Sequence, residues 1–155
     1  MALEVRGELT SKGKYAIVVA RYNESITRNL LDGALRTFGE HGVPDRNLTI
    51  AWVPGAWEIP VAAARLAKSS QFDAIICLGA VIRGETTHDQ HINTQVSLSL
   101  GNLAVELELP VLFGLLTCNS LEQAIHRSGG NVGNKGEECA SAALEMVDLM
   151  RKLPR

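Results

Sequence analysis

Apolar residues along this chain fall into short unbroken runs, separated by longer stretches with a helical repeat. "YAIVVA" (15–20), "LTIAWVP" (48–54), "AIICLGAV" (74–81) and "PVLFGLLT" (110–117) are rich in Val, Ile and Leu. None alternates strictly between apolar and polar, so each predicts a strand covered on both faces. Residues 25–41 place Leu30, Leu31, Ala34, Leu35 and Phe38 on one helical face, with Gly42 where a C-terminal cap belongs. Residues 57–68 carry Ile59, Ala62, Ala63 and Leu66, and Pro60 is tolerated in the first turn. A longer helix is predicted over 90–108, stopping before Pro110. Ser120 and Gln123 form a capping-box signature for a short helix at 121–127. A last helix, from Gly136 to Arg151, would bury Cys139, Ala143, Met146 and Leu149 or Met150.

Strands alternating with helices imply right-handed crossovers and a parallel sheet. The predicted fold is α/β: a three-layer, flavodoxin-like, four-stranded parallel sheet flanked by helices, in one domain over residues 1–155. "LEVRGE" (3–8) lies outside the alternation and reads as a short extra strand, pairing at an edge or with a neighbouring chain.

Composition narrows the field. A formal net charge of −2 with no run of Lys or Arg gives no footprint for nucleic acid or an anionic membrane. No apolar stretch reaches the roughly 18 residues that a spanning helix needs, and the first residues lack the apolar segment of a signal peptide. A cytoplasmic protein is expected. Cys77, Cys118 and Cys139 are odd in number and far apart, which suits buried thiols better than a disulfide or a zinc site. No metal is implied.

Ligands of open parallel sheets bind beyond the carboxyl ends of the strands. That rule selects "RYNES" (21–25), "PGAWE" (54–58), "RGETTH" (83–88) and the Phe113–Gly114 step in the fourth strand. Tyr22 and Trp57 are suited to stack on a planar ring, or to staple their loops to a helix. Glu58 fits a helical first turn through the helix dipole, and equally fits an acceptor for ligand hydroxyls. Asn23 is explained as an N-cap. Thr86, Thr87 and His88 precede a helix, where hydroxyls and amides cradle phosphate and an imidazole moves protons near neutrality. His91, one turn on, is expected to face solvent or a neighbour. His41 and His126 sit near helix C-termini and carry no further assignment. In "HRSGGNVGNKGEE" (126–138) four glycines within eight residues surround Lys135 and follow Arg127, suggesting a second half of an anion site. The absence of G-x-x-x-x-G-K-[ST] and of G-x-G-x-x-G argues against ATP hydrolysis and dinucleotide binding. The residues alone point to a planar, hydroxylated ligand plus a phosphate, with a histidine placed for proton transfer.

The blocks "ARYN…IT", "AWVPGAWEIP", "DAIICLGAVIRGETTH", "LPVLFGLLT" and "GNKGEECA" resemble the 6,7-dimethyl-8-ribityllumazine synthase family, in order and over about residues 14–150. The resemblance implies condensation of 5-amino-6-(D-ribitylamino)uracil with 3,4-dihydroxy-2-butanone 4-phosphate, releasing phosphate and water, with no cofactor. By the same resemblance Tyr22 stacks on the pyrimidine with Asn23 beside it. Ala56, Trp57 and Glu58 bind the ribitylamino-pyrimidine, and Ala80, Val81 and Ile82 line the ring pocket. Glu85 and Thr86 hold the phosphate, Glu85 through its backbone, and His88 transfers protons. Phe113 and Arg127 come from a neighbouring subunit, assisted by Lys135. Tyr22, Trp57, Glu85 and Asn131 depart from the commoner residues at their positions. The family further implies a homopentamer, with "LEVRGE" added to the neighbour's sheet. The short loop "SGGNVGNKG" favours a 60-subunit icosahedral shell, and whether it encloses a riboflavin synthase stays open. A non-catalytic riboflavin- or lumazine-binding shell protein is the alternative.

Overall fold

The structure, a computed structural model, describes residues 1–155. Its elements follow the alternation: β1 (Tyr15–Ala20), α1 (Glu24–Glu40), β2 (Leu48–Val53), α2 (Ile59–Lys68), β3 (Ala74–Ile82), α3 (His88–Leu107), β4 (Val111–Cys118) and α4 (Leu121–Arg127). A hairpin of β5 (Ser128–Gly130) and β6 (Gly133–Asn134) then leads into α5 (Lys135–Lys152). β1 to β4 form one parallel sheet in the order β2-β1-β3-β4, so the fold is the expected flavodoxin-like one. The apolar faces of α1 and α5 pack with Ile17, Ile76 and Leu78 on one side of the sheet. Those of α2 and α3 pack with Val18, Ile75 and Cys77 on the other.

The central strands β1 and β3 are buried as predicted, apart from the last residue of β3. The edge strands are not. On β2, Ile50 and Trp52 remain about 40% exposed, and on β4 so does Phe113. Two helices per face cover the middle of a twisted four-stranded sheet and leave its rims bare. At one rim the Arg28 guanidinium lies over the Trp52 ring, 4.7 Å from its centroid.

Gly42 closes α1 in the left-handed conformation, φ 81°, as a C-terminal cap should. The Ser120 hydroxyl accepts the Gln123 amide at 3.2 Å, while the Gln123 side chain accepts the Asn119 amide at 2.8 Å, a capping box offset by one residue. The glycine-rich stretch, too rich in glycine for a bare connection, contains the β5–β6 hairpin. Its last residue, Asn134, is buried and caps α5. Asn134 Oδ1 accepts the Gly136 and Glu137 amides at 2.8 and 3.2 Å, and Nδ2 donates to the Asn29 carbonyl at 3.0 Å. Gly136 is obligatory, since a Cβ there would lie 1.9 Å from the Leu30 carbonyl oxygen. All three cysteines are free and buried, and burial pushes the Cys139 thiol up to about 11. No helix is long and apolar enough to cross a membrane.

Residues 3–8 form no strand within this chain. They run over α5 instead. The Glu8 amide donates to Asp148 at 2.7 Å, and Lys152, ion-paired to Asp148 at 2.8 Å, donates to the Arg6 carbonyl at 2.9 Å. Gly7 lies so close that a Cβ would sit 2.0 Å from the Glu145 carbonyl oxygen. Beyond this clasp Leu3 projects outward, 89% exposed.

Two outcomes are expected. Asn134→Ala removes a helix cap and a cross-link to α1 together, and should cost about 2 kcal/mol, read from the urea midpoint. The Lys152 ammonium, with the Glu8 amide, holds the Asp148 carboxyl below its usual range. A lowered folded-state pKa stabilises above the unfolded value, about 4, and that contribution is lost as pH falls through the folded pKa. Asp148→Asn should therefore speed hydrogen exchange at residues 6–8 at pH 7, and differ little from wild type near pH 2.

Candidate active site

Three loops leave neighbouring strands at the carboxyl edge and are bonded to one another. After β1, the Arg21 amide donates to the Val53 carbonyl at 2.7 Å and the Tyr22 amide to the Pro54 carbonyl at 3.0 Å. Asn23 holds the other side. It adopts the left-handed conformation, φ 62° and ψ 46°, and makes no side-chain cap. Its Nδ2 donates instead to the Ala80 carbonyl on β3, at 2.9 Å. The N-cap expectation is thus corrected: the amide ties loops together, and the left-handed backbone is one that Asn tolerates better than most residues.

These ties shape a groove of about 850 Å³. Ala80 and Val81, buried at the end of β3, form its floor with Ile82. Tyr22 and Trp57 line it while 73% and 56% exposed. Ala56, Trp57 and Glu58 form a 3-10 turn before α2. Glu58 Oε1 would lie 3.3 Å from a Cβ at position 55, so glycine there leaves the carboxylate room.

The opposite lip is the exposed segment 83–87 and the start of α3. The Arg83 amide donates to the Cys118 carbonyl at 2.8 Å and anchors the segment to β4. Thr86 Oγ1 accepts the His88 amide at 3.3 Å, so a hydroxyl faces the first turn of α3, whose cap residue Thr87 contributes no side-chain bond. Thr86 and His88 both line the groove.

The remaining predicted residues lie elsewhere. Arg127 and Lys135 line a separate cleft of about 310 Å³, between the end of β4, the hairpin and α5. Neither is in an ion pair. Arg127 Nη1 approaches only the Cys118 thiol, at 3.9 Å. Phe113, on the bare rim of β4, and Glu85, in the exposed lip, line neither cavity, and Asn23 supports the groove from behind. No Lys or Arg lines the groove, whose ionisable groups are Tyr22, Glu58, His88, Asp89 and His91. No three His, Cys, Asp or Glu side chains are placed to hold a metal ion.

His91 is solvent-exposed, as expected, and with Asp89 it also lines the groove. The signal was present: His88, His91 and Ile92 are spaced i, i+3, i+4 and share a helical face. Asn23→Ala should cost about 1–2 kcal/mol by denaturant midpoint, through a lost hydrogen bond and a strained backbone. It should also weaken ligand binding in the groove, seen by titration with a flavin-like ring compound.

Comparison with known proteins gives an independent view of this arrangement. The family model described as 6,7-dimethyl-8-ribityllumazine synthase matches residues 12–151. A 6,7-dimethyl-8-ribityllumazine synthase of Protochlamydia amoebophila (strain UWE25) is 48% identical over 151 residues, 97% of this chain and 88% of its own.

Proposed function

Because the chain belongs to the 6,7-dimethyl-8-ribityllumazine synthase family, we infer that the groove is one half of an active site completed by a second copy of the chain. The reaction is the condensation of 5-amino-6-(D-ribitylamino)uracil with 3,4-dihydroxy-2-butanone 4-phosphate, giving the lumazine, phosphate and water. In this reading Tyr22 and Trp57 stack on the pyrimidine, Ala56 and the Ala80–Ile82 backbone edge its ring, and Glu58 accepts the ribityl hydroxyls. Thr86, with the Glu85 backbone, holds the phosphate beside His88, which moves protons.

One observation carries the reading. A phosphorylated substrate needs a cation, and the groove holds none. The unpaired cations Arg127 and Lys135 face a cleft at the end of β4, the strand that also carries the exposed ring of Phe113. Docking the β4 edge of one subunit against the groove of the next brings a positive clamp and an apolar lid to where both are missing. A ring of five subunits repeats this contact, a neighbour's residues 3–8 extend the bare rim of a sheet, and the short segment 128–136 leaves the pentamers free to close as a 60-subunit shell. The enzymatic reading is preferred to that of a non-catalytic binder because a hydroxyl and an imidazole stand together at the lip, where binding a flat ring requires neither.

The amine of the uracil is already a nucleophile, so alignment is the main task. Good alignment supplies roughly 7–11 kcal/mol, while a positioned imidazole contributes roughly 10²–10⁴-fold. Mixing purified protein with both substrates and following lumazine absorbance tests the reaction. Arg127→Ala should lower kcat/KM more than His88→Ala; a dead His88→Ala beside a near-normal Arg127→Ala would refute the alignment account. Co-refolding the two variants should restore activity at roughly a quarter of the sites by random mixing, since each intact site draws His88 and Arg127 from different copies. No recovery would place both halves in one chain.

A further inference from the structure

The geometry points to His91 as a second acid–base group in the groove, working beside His88; this rests on the condensation assigned to that groove. α3 begins at His88, and His88, His91 and Ile92 occupy one helical face that lines the groove. One turn of helix, about 5 Å, separates the two imidazoles along the axis. His91 is exposed and enters no ion pair, so its ring nitrogens are available. The titratable groups sharing the groove with it are His88 and Asp89 on its own helix, Glu58 from the 3-10 turn packed against α3, and Tyr22 from the loop after β1. The other elements packed on α3, namely α2, β3 and β4, add no charged group to the groove.

The reaction needs more than one proton carrier because protons move at separate atoms. The amine loses a proton as its nitrogen bonds to the carbonyl carbon, and the resulting hydroxyl gains one as it leaves as water. In the elimination, a C–H bond breaks and its proton goes to a neutral imidazole. The electron pair becomes the new C=C bond, and the C–O bond to phosphate breaks with its pair departing on phosphate. The imidazolium then returns its proton to the hydroxyl lost at ring closure, so the residue ends as it began. His88, next to Thr86, serves the phosphate end. His91, one turn further along α3, serves the end where the ring closes. Asp89 and Glu58 are carboxylates that can hold substrate hydroxyls, but an imidazole is the side chain whose ordinary titration spans neutrality.

The test compares His91→Gln, His88→Gln and the double variant by pH profiles of kcat and KM in the assembled protein. His91→Gln should lower kcat on the order of tenfold and leave KM for both substrates within about twofold, because the loss falls on the chemical step. The residual rate of His88→Gln should still change with pH across about 5–8, and that change should vanish in the double variant. Fluorescence titration with the lumazine product should show unaltered binding by His91→Gln, which excludes misfolding. Wild-type kcat and pH profile in His91→Gln, or identical profiles for His88→Gln and the double variant, would overturn the inference. If wild type itself gives no acceleration, the condensation reading falls with it; if wild type accelerates and His91→Gln is indifferent, only this inference falls.

Discussion

All four main strands are parallel, so every crossover returns the chain to the same edge of the sheet before the next loop departs. Neighbouring strands lie about 4.8 Å apart, and the order β2-β1-β3 sets three chain exits side by side. The middle one belongs to β1, which is wholly buried between the two helical layers. β1 is therefore the fixed reference from which the site is measured. Its exit loop is bonded to the β2 loop through Arg21 and Tyr22, and to β3 through Asn23. A one-residue slip of β1 would move every side chain to the opposite face, and would carry Tyr22 and the Asn23 amide away from the groove with it.

The sheet that positions the groove also leaves it incomplete. Two helices on each face cover β1 and β3 but not the outer flanks of β2 and β4, so the hydrophobic rims and the apolar ring of Phe113 remain open. Charge is divided along the same line. The acids Glu58 and Asp89 sit in the groove, which has no Lys or Arg, while Arg127 and Lys135 lie with Glu138 in the second cleft.

Much of this was legible in the sequence, for reasons that differ by element. β1 and β3 announce themselves because total burial demands unbroken apolar runs, and α1 because its apolar face and Gly42 agree. The groove residues 22, 56–58, 80–82, 86 and 88 could be named because parallel strands fix where loops must lie and because the family blocks fall in order. The partial exposure of β2 was not legible, since this edge strand carries an apolar run of Leu, Ile, Ala, Trp and Val much like that of a central one. The β5–β6 hairpin escaped because strands of three and two residues, rich in glycine, have no period to detect. Asn23 misled because a helix start is the commonest use of that residue, and only the left-handed backbone turns its amide toward Ala80. His91 is exposed as expected, and its place on the groove follows from the helical period it shares with His88.

The end of β4 links the two half-sites within one chain. The Cys118 carbonyl accepts the Arg83 amide at the root of the lip that carries Thr86 and His88. The Cys118 thiol is the nearest partner of the Arg127 guanidinium. A thiol is a weak acceptor, so this contact holds Arg127 loosely. The Arg83 bond, by contrast, is an ordinary backbone hydrogen bond at 2.8 Å and keeps the lip in place. One residue thus fixes the lip of the groove firmly and the Arg127 guanidinium weakly.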